Sequence, residues 1–237
     1  MDENCTGTNE INRAAFLAGS LAAMSAALPE RSDAASPVLP GAAVPPERLL
    51  GQLMAGNKRF LDNDFPNFSR VAEKREALKE GQAPFAVVLG CSDSRVLPNL
   101  IFVQGIGDLF IARVAGNYPD DLVIGSIEYA IEHLGTRLIM VLGHQGCGAI
   151  QAVYSAIETK KPLPTHLSTI EQLITPGIAS VVRAHGTPKE AVQANVRAGV
   201  AKLRTTPPFL SKGVASGHLL IVGGYYYLGT GEVKLLE

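Results

Sequence analysis

Two short apolar runs, each followed by residues of the kinds that bind metals, constrain the fold of this chain most strongly. Residues 85–89 (FAVVL) precede Cys91, and residues 138–142 (LIMVL) precede His144. Runs of this length without polar alternation are typical of strands that are covered on both faces, as in the parallel sheets of α/β domains. Because ligands bind outside the carboxyl ends of such strands, we expect the two motifs to meet in one crevice.

The two motifs, Cys-Ser-Asp-Ser-Arg and His-Gln-Gly-Cys, together supply the donors of a metal site. Zinc prefers sulfur and nitrogen donors, and three protein ligands leave a fourth position for water. Of the three cysteines in the chain, Cys5 lies in a segment that we expect to be outside the fold. Cys91, His144 and Cys147 are therefore candidate zinc ligands. On spacing alone, a Cys91–Cys147 disulfide or two inert buried thiols remain equally open alternatives.

An acidic and a basic residue within the first motif indicate what such a site would do. Zinc lowers the pKa of a bound water from 15.7 towards ~7. Two thiolates cancel the charge of the ion, so this site should acidify water less than an all-histidine site does. A neighbouring hydrogen-bond acceptor then matters more, and Asp93 is the candidate, held by a bidentate contact with Arg95. The alternative is that this pair is a salt bridge that only fixes the loop, and the two interpretations are compatible.

Cys-Ser-Asp-Ser-Arg followed by His-x-x-Cys-Gly resembles the β-class carbonic anhydrases, and the resemblance runs from about residue 56 to residue 226. It implies an α/β fold of that family and the reversible hydration of carbon dioxide to bicarbonate and a proton. It also implies one zinc ion per subunit. The residues to which it assigns roles are Cys91, His144 and Cys147 as zinc ligands, with Asp93 and Arg95 as catalytic residues.

The same resemblance implies three substrate-binding residues. Gln82 matches a glutamine that hydrogen-bonds substrate or bicarbonate, Phe110 matches an apolar wall of the carbon dioxide pocket, and Tyr129 matches a tyrosine given by the partner subunit. On sequence alone each is also compatible with a core or surface position. The chain departs from the family at Ala115, where plant members carry valine. It departs again at Val88, where members with a non-catalytic bicarbonate site carry tryptophan.

Two other functions are considered on the same residues. One is hydrolysis of carbon disulfide or carbonyl sulfide on the same scaffold, and the other is a non-catalytic zinc-binding module. Asp93, Arg95 and Gln82 argue against the module, because zinc binding alone needs none of them. The expected partners are carbon dioxide and bicarbonate, and a second copy of the chain in a homodimer or homotetramer. Charges of 21 basic and 22 acidic residues point to neither nucleic acid nor an anionic membrane surface.

The N-terminal segment, residues 1–28, resembles an export signal. Residues 14–28 carry no charge and are shorter than the ~20 residues that span a bilayer. Residues 12–17 resemble a twin-arginine motif with one arginine missing, and a proline-rich linker follows over residues 29–46. We therefore predict a periplasmic or otherwise exported protein, in which thiolates already bound to zinc resist oxidation. The alternative is a cytoplasmic protein with an uncleaved extension.

Residues 47–237 are predicted to form one catalytic α/β domain. Its sheet should have a parallel core of about four strands plus an antiparallel edge strand, flanked by helices. The predicted helices cover residues 47–63, 69–80, 98–102, 121–134, 147–158, 165–173 and 188–204. The predicted strands cover residues 84–90, 108–114, 138–143 and 219–222, and a terminal hairpin covers residues 225–236.

Overall fold

A five-stranded sheet lies at the centre of the part of the chain that is described here, residues 44–66 and 71–236 of a computed structural model. The strands are β1 (Ala86–Gly90), β2 (Leu109–Arg113), β3 (Leu138–His144), β4 (Leu220–Tyr226) and β5 (Val233–Leu236). Their order is β2-β1-β3-β4-β5; the first four are parallel and β5 pairs antiparallel with β4. The predicted parallel core with an antiparallel edge strand is confirmed.

Helices connect the strands and cover the sheet. In the described residues they are α1 (Pro46–Leu61), α2 (Val71–Ala77), α3 (Pro98–Ile101), α4 (Asp121–Leu134), α5 (Gly148–Thr159), α6 (Leu167–Arg183), α7 (Pro188–Thr205) and α8 (Phe209–Ala215). Helix α4 has the predicted bounds because both of its ends are capped. Asp120 accepts a hydrogen bond from the Val123 amide, and Gly135 ends the helix with a φ of 68°. None of the described helices is long and apolar enough to cross a membrane.

Three elements differ from the prediction. Helix α6 continues to Arg183 rather than ending at residue 173, although Pro176 lies inside it. A proline in a helix interior costs about 3 kcal/mol, and burial of Ile174 and Ile178 on either side of it offsets that cost. Helix α8 was not predicted. Strand β4 continues to Tyr226, so it includes the first arm of the predicted hairpin.

Some predictions fall on residues that the structure does not describe. These are the export signal at residues 1–28 and the linker as far as residue 43. Helix α1 begins at Pro46, the last residue assigned to that linker. Helix α2 lies within the predicted helix over residues 69–80, of which residues 69 and 70 are not described.

Both faces of the sheet are covered, which explains the unbroken apolar runs of β1 and β3. Alternate side chains of a strand point to opposite faces, and here both sets are buried. One face contacts α4 and α7 through a cluster that includes Val87, Leu89, Ile139, Val141, Ile127 and Val196. The other face contacts α1 and α3 through a cluster that includes Val88, Met140, Leu53, Ile101 and Phe102.

Helix α7 packs against β3 and β4 at positions where glycines leave no room for a side chain. A Cβ atom on Gly143 of β3 would lie 2.5 Å from Cγ2 of Val196, and one on Gly223 of β4 would lie 2.8 Å from Cγ1 of the same valine. The start of α7 is fixed by a capping box between Thr187 and Glu190. The helix therefore brings its polar side chains up to the end of the sheet where β1 and β3 finish.

Candidate metal centre

The three predicted ligands meet at the carboxyl ends of two adjacent strands. Cys91 directly follows β1, His144 is the last residue of β3, and Cys147 is the N-cap residue of α5. Strands β1 and β3 are hydrogen-bonded neighbours in parallel register, so their ends coincide. The donor atoms of the three residues all lie within 4.8 Å of one another, and all three residues are buried.

The two sulfur atoms have the separation that a shared zinc ion requires. Cys91 Sγ and Cys147 Sγ are 3.9 Å apart, and both cysteines are free. Tetrahedral zinc with bonds of ≈ 2.3 Å to sulfur places two sulfurs about 3.8 Å apart. The disulfide alternative is therefore wrong for this structure, and the sulfur geometry fits the metal.

The imidazole of His144 completes the fit. Its Nδ1 lies 3.0 Å from the Gln145 carbonyl oxygen, and in the tautomer that donates this hydrogen bond Nε2 presents a lone pair. Nε2 is buried and has no hydrogen-bond partner in the described part of the chain. A buried polar atom without a partner is costly, and a zinc ion facing the two sulfurs would satisfy it. The donor set therefore fits zinc.

The two thiols have strongly different acidities without a metal. The hydrogen bond from Cys147 is the largest cause that lowers the pKa of Cys91, and contacts with His144 and the Gly116 amide add to it. The pKa of Cys147 is raised, first by its hydrogen bond with Cys91 and then by burial. The directions of these shifts favour a negative charge on Cys91 rather than on Cys147, and a cation can neutralise that charge.

Asp93 and Arg95 form a bidentate pair at the side of the ligands. The Arg95 side chain donates from Nε to Oδ1 at 2.9 Å and from Nη2 to Oδ2 at 2.7 Å, and its backbone amide donates to Oδ1 at 2.9 Å. These contacts hold the pKa of Asp93 well below its usual range. Asp93 Oδ2 also lies 4.0 Å from His144 Nε2. An ionised hydrogen-bond acceptor therefore stands beside the metal ligands.

A second arginine, which was not identified from the sequence, holds the loop that contains Cys91 and Asp93. Arg113, the last residue of β2, donates from Nε to the Cys91 carbonyl at 2.8 Å and from Nη2 to the Asp93 carbonyl at 2.7 Å. It is paired in register with Gly90, the last residue of β1. A basic residue at the carboxyl end of the neighbouring strand is the only signal of this role that the sequence contains.

The sequence analysis also did not identify the polar contacts behind Cys91, which involve Gly116 and the buried Asn195. The Gly116 amide donates to Cys91 Sγ at 3.4 Å, and Asn195 of α7 donates to the Gly116 carbonyl at 2.8 Å. Gly116 has a φ of 81°, and a Cβ atom there would lie 2.5 Å from Ile174 Cδ1, so only glycine fits. Neither polar atom of the buried Asn117 side chain has a hydrogen-bond partner in the described residues.

The three predicted substrate residues lie elsewhere in the same chain. Gln82 is exposed and precedes β1, whereas Cys91 follows it, so about 16 Å of strand lies between their ends of the sheet. Phe110 near the start of β2 and Tyr129 of α4 are neighbours, with ring centroids 6.4 Å apart, and Tyr129 is 48% exposed. Their roles in substrate binding remain predictions, and one chain does not bring them to the metal ligands.

Comparison with known proteins gives a consistent result. The model of the carbonic anhydrase family matches residues 86–233. The chain is 39% identical to a carbonic anhydrase of Mycolicibacterium smegmatis over 77% of this chain and 89% of that protein. It is 38% identical to carbonic anhydrase 2 of Mycobacterium tuberculosis over 78% of this chain and 90% of that protein.

Solved structures of β-carbonic anhydrases share the fold. The β-carbonic anhydrase CcaA superposes with a TM-score of 0.63 and 28% identity over 79% of this chain and 95% of that one. A Coccomyxa β-carbonic anhydrase in complex with acetazolamide gives a TM-score of 0.62 and 28% identity over 79% of this chain and 86% of that one. The residues 86–233 that match the family model include all three candidate ligands.

Proposed function

Because the chain belongs to the β-class carbonic anhydrase family and is a carbonic anhydrase enzyme, we propose that it hydrates carbon dioxide reversibly to bicarbonate and a proton at one zinc ion per subunit. The proposed ligands are Cys91, His144 and Cys147. One observation carries the assignment: His144 Nε2 is buried without a hydrogen-bond partner in the described residues, and a ring nitrogen of His144 lies within 4.8 Å of both sulfurs. Asp93 and Arg95 beside this group favour an enzyme over a non-catalytic zinc module.

Each ligand is presented by a rigid element. Cys91 and His144 stand at the ends of paired strands, and Cys147 begins α5. When bound, zinc lowers the pKa of a water that it holds and so makes a nucleophile available near neutral pH. The pKa of Cys147 is raised overall, first by its hydrogen bond with Cys91, but the amides of Ile150 and Ala149 in the first turn of α5 oppose that rise. They favour the thiolate, which is the form that binds a metal.

Asp93 orients the attacking water. Its carboxylate is ionised at neutral pH and remains so further into the acid range because Arg95 holds its pKa low, so it accepts a hydrogen bond and donates none. A fixed acceptor selects one orientation of the water, with the oxygen lone pair free to attack carbon. Arg113 maintains this geometry through its two hydrogen bonds to the backbone of residues 91 and 93. Arg95 thus holds the side chain of Asp93, and Arg113 holds its main chain.

The substrate side of the site is proposed to come from a second copy of the chain. Gln82, Phe110 and Tyr129 lie at or towards the end of the sheet where the strands begin, away from the metal ligands. Two β-carbonic anhydrases from Sordaria macrospora that share this fold are tetrameric, which agrees with assembly. We expect light scattering to show at least a dimer, and a fully active monomer at dilute concentration would contradict this.

The direct test of the function measures zinc and catalysis on one purified sample. We expect about one zinc per chain by elemental analysis, together with stopped-flow hydration of carbon dioxide. Removal of the metal with a chelator should abolish activity, and re-addition of zinc should restore it. Carbon disulfide and carbonyl sulfide serve as comparison substrates. Zinc-loaded protein that turns over either of them and not carbon dioxide would contradict the proposal.

Export is proposed on the sequence of the N-terminal segment, which lies outside the described residues. The support is the charge-free run over residues 14–28, followed by small residues suited to signal cleavage. Protein recovered from its native cell should then begin between residues 26 and 47. Mass spectrometry that finds intact Met1 on cytoplasmic protein would favour the uncleaved alternative.

A further inference from the structure

A second polar cavity lies beside Cys147, and we propose that it binds a small oxyanion. The cavity has a volume of about 210 Å³. The side chains that give it its chemistry are those of Gln145, Gln151, Lys189, Tyr225 and Tyr227. We call it the Tyr225 cavity. It is inferred from its own residues and does not depend on the proposed reaction.

The Tyr225 cavity is separate from the part of the metal centre where Asp93 lies. Cys147 is the single metal ligand in its lining, and neither Asp93 nor Arg95 lines it. Tyr225 belongs to the cluster formed by α5, α6 and α7, whereas the next residue, Tyr226, belongs with Val88 to the cluster on the opposite face of the sheet. The cavity therefore approaches the candidate metal ligands from the side of the sheet that carries α5 and α7.

The charge of the cavity is positive. Lys189 Nζ lies 5.2 Å from the ring centroid of Tyr227 and 6.0 Å from that of Tyr225, within the range of cation–π contacts. No carboxylate of the described residues forms a salt bridge with it. The nearby Glu190 carboxylate is used instead by Thr187, which donates to it from its backbone amide at 2.6 Å and from its hydroxyl at 2.8 Å.

Neutral hydrogen-bond donors surround this ammonium group. Tyr225 is only 2% exposed, and its hydroxyl makes no hydrogen bond with a described residue. The side-chain amide of Gln151, an exposed residue, also makes none within the described parts. Gln145 accepts a weak hydrogen bond from the Gly229 amide at 3.5 Å through Oε1, which leaves its NH₂ group free to donate. One cation and three neutral donors therefore line a single small space.

Size and charge together select the class of ligand. The cavity is small, with a volume of about 210 Å³, which suits a compact ligand. The ammonium of Lys189 disfavours cations, and the donors lack a partner that accepts. A compact oxyanion is negatively charged and accepts hydrogen bonds, so it suits both the ammonium group and the neutral donors. Bicarbonate, the expected product, and free sulfate or phosphate share this chemistry.

The test follows the tyrosine rings by NMR on the zinc-loaded protein. All six tyrosines are labelled with ¹³C at Cζ and assigned by Tyr→Phe variants, and sulfate and bicarbonate are titrated separately against chloride at constant ionic strength. We expect saturable shifts of Tyr225 and Tyr227, and the anion that saturates at the lower concentration identifies the source. Lys189→Gln should weaken binding at least about tenfold, because it removes a charge-assisted hydrogen bond.

Lys202→Gln is the matched control. Lys202 lies on the same helix and stacks on another tyrosine, with its Nζ 4.8 Å from the ring centroid of Tyr118. This variant should bind the anion like the wild type, and Tyr225→Phe should bind it more weakly. Saturation that is unchanged in Lys189→Gln would place the anion elsewhere, for example at the metal, and would overturn the proposal. The absence of any saturable shift in the wild type would overturn it as well.

Discussion

The two ends of the sheet differ in whether a single chain brings their candidate functional residues together. At the carboxyl end, where β1 and β3 finish, the candidate zinc ligands are buried and their loop is held by two arginines. At the amino end, where the same strands begin, Gln82 is exposed and Tyr129 is half exposed. Both ends carry residues that the family resemblance assigns to the reaction.

We infer from this comparison that the proposed metal site and the proposed substrate site have separate structural origins. The carboxyl end needs nothing beyond this chain to assemble its donors. The residues of the amino end cannot reach those donors, because a full strand lies between them. If they act in catalysis, they act in the site of another copy. The two ends therefore respond differently to mutation, and the following predictions run from the largest expected effect to the smallest.

His144→Ala or Cys147→Ser should abolish zinc binding and activity together. Even the loss of a group that only supports a metal ligand weakens binding by about 10- to 100-fold, so the loss of a ligand should exceed this. Zinc content and carbon dioxide hydration are measured on the same sample. Cys5→Ser, a cysteine outside the described residues, is the control and should change neither. Full stoichiometric zinc in His144→Ala would refute the ligand assignment.

Arg95→Ala should separate metal binding from catalysis. Asp93 would lose both side-chain hydrogen bonds that hold it, and a carboxylate is itself an acceptable zinc donor. We expect the variant to retain zinc and lose about 10²-fold in kcat, with Asp93 coordinated to the metal in a crystal structure. Arg95→Lys keeps the charge without the planar fork and should be intermediate. A zinc-loaded Arg95→Ala enzyme with a near wild-type rate would show that Arg95 only braces the loop.

Gln82→Ala, at the amino end, should leave zinc content unchanged and reduce kcat/KM about tenfold. The expected size is that of one lost hydrogen bond to a bound substrate oxygen. Glu80→Ala provides a control, since Glu80 is an exposed neighbour without an assigned role. Equal kcat/KM values for the two variants would remove Gln82 from the site.

Tyr129→Phe should have the smallest effect, a loss of roughly threefold in kcat/KM, because the ring that contacts Phe110 stays and only the hydroxyl is lost. Stability to urea should not change, since the side chain is half exposed. A large loss of stability without a change in kcat/KM would make Tyr129 a packing residue.

The ligands could be predicted from the sequence because local features determine where they lie. Apolar runs mark β1 and β3, and each motif follows its strand directly, so Cys91 and His144 had to meet once the strands paired. The roles of Arg113 and Asn195 could not be predicted in this way. Arg113 contacts the backbone of residues 91 and 93 from the end of β2, and its place at that strand end is a weak signal. Asn195 contacts the Gly116 carbonyl from α7, and nothing near it in sequence indicates that contact.

Helix bounds were predicted well where caps are local and less well where packing decides. Asp120 and Gly135 mark both ends of α4 in the sequence itself. Helix α6 continues through Pro176 because Ile174 and Ile178 are buried beneath α5 and α7, and that burial depends on partners distant in sequence. The sequence also did not determine whether Gln82 lies near the metal. Spacing along the chain does not show whether a residue contributes to the site of its own chain or to that of another copy.

The most direct measurement of the central claim combines one defect from each end of the sheet in one dimer. Cys147→Ser and Gln82→Ala chains carrying different tags are co-expressed, and the heterodimer is purified through both tags. Suppose that each site joins the carboxyl end of one copy to the amino end of the other. One of the two sites of the heterodimer is then intact, because it combines the metal ligands of the Gln82→Ala chain with Gln82 of the Cys147→Ser chain. The account then predicts about half of the wild-type activity per chain. Activity of about one twentieth, the mean of the two parent variants with Gln82→Ala at about a tenth of wild type, would contradict it.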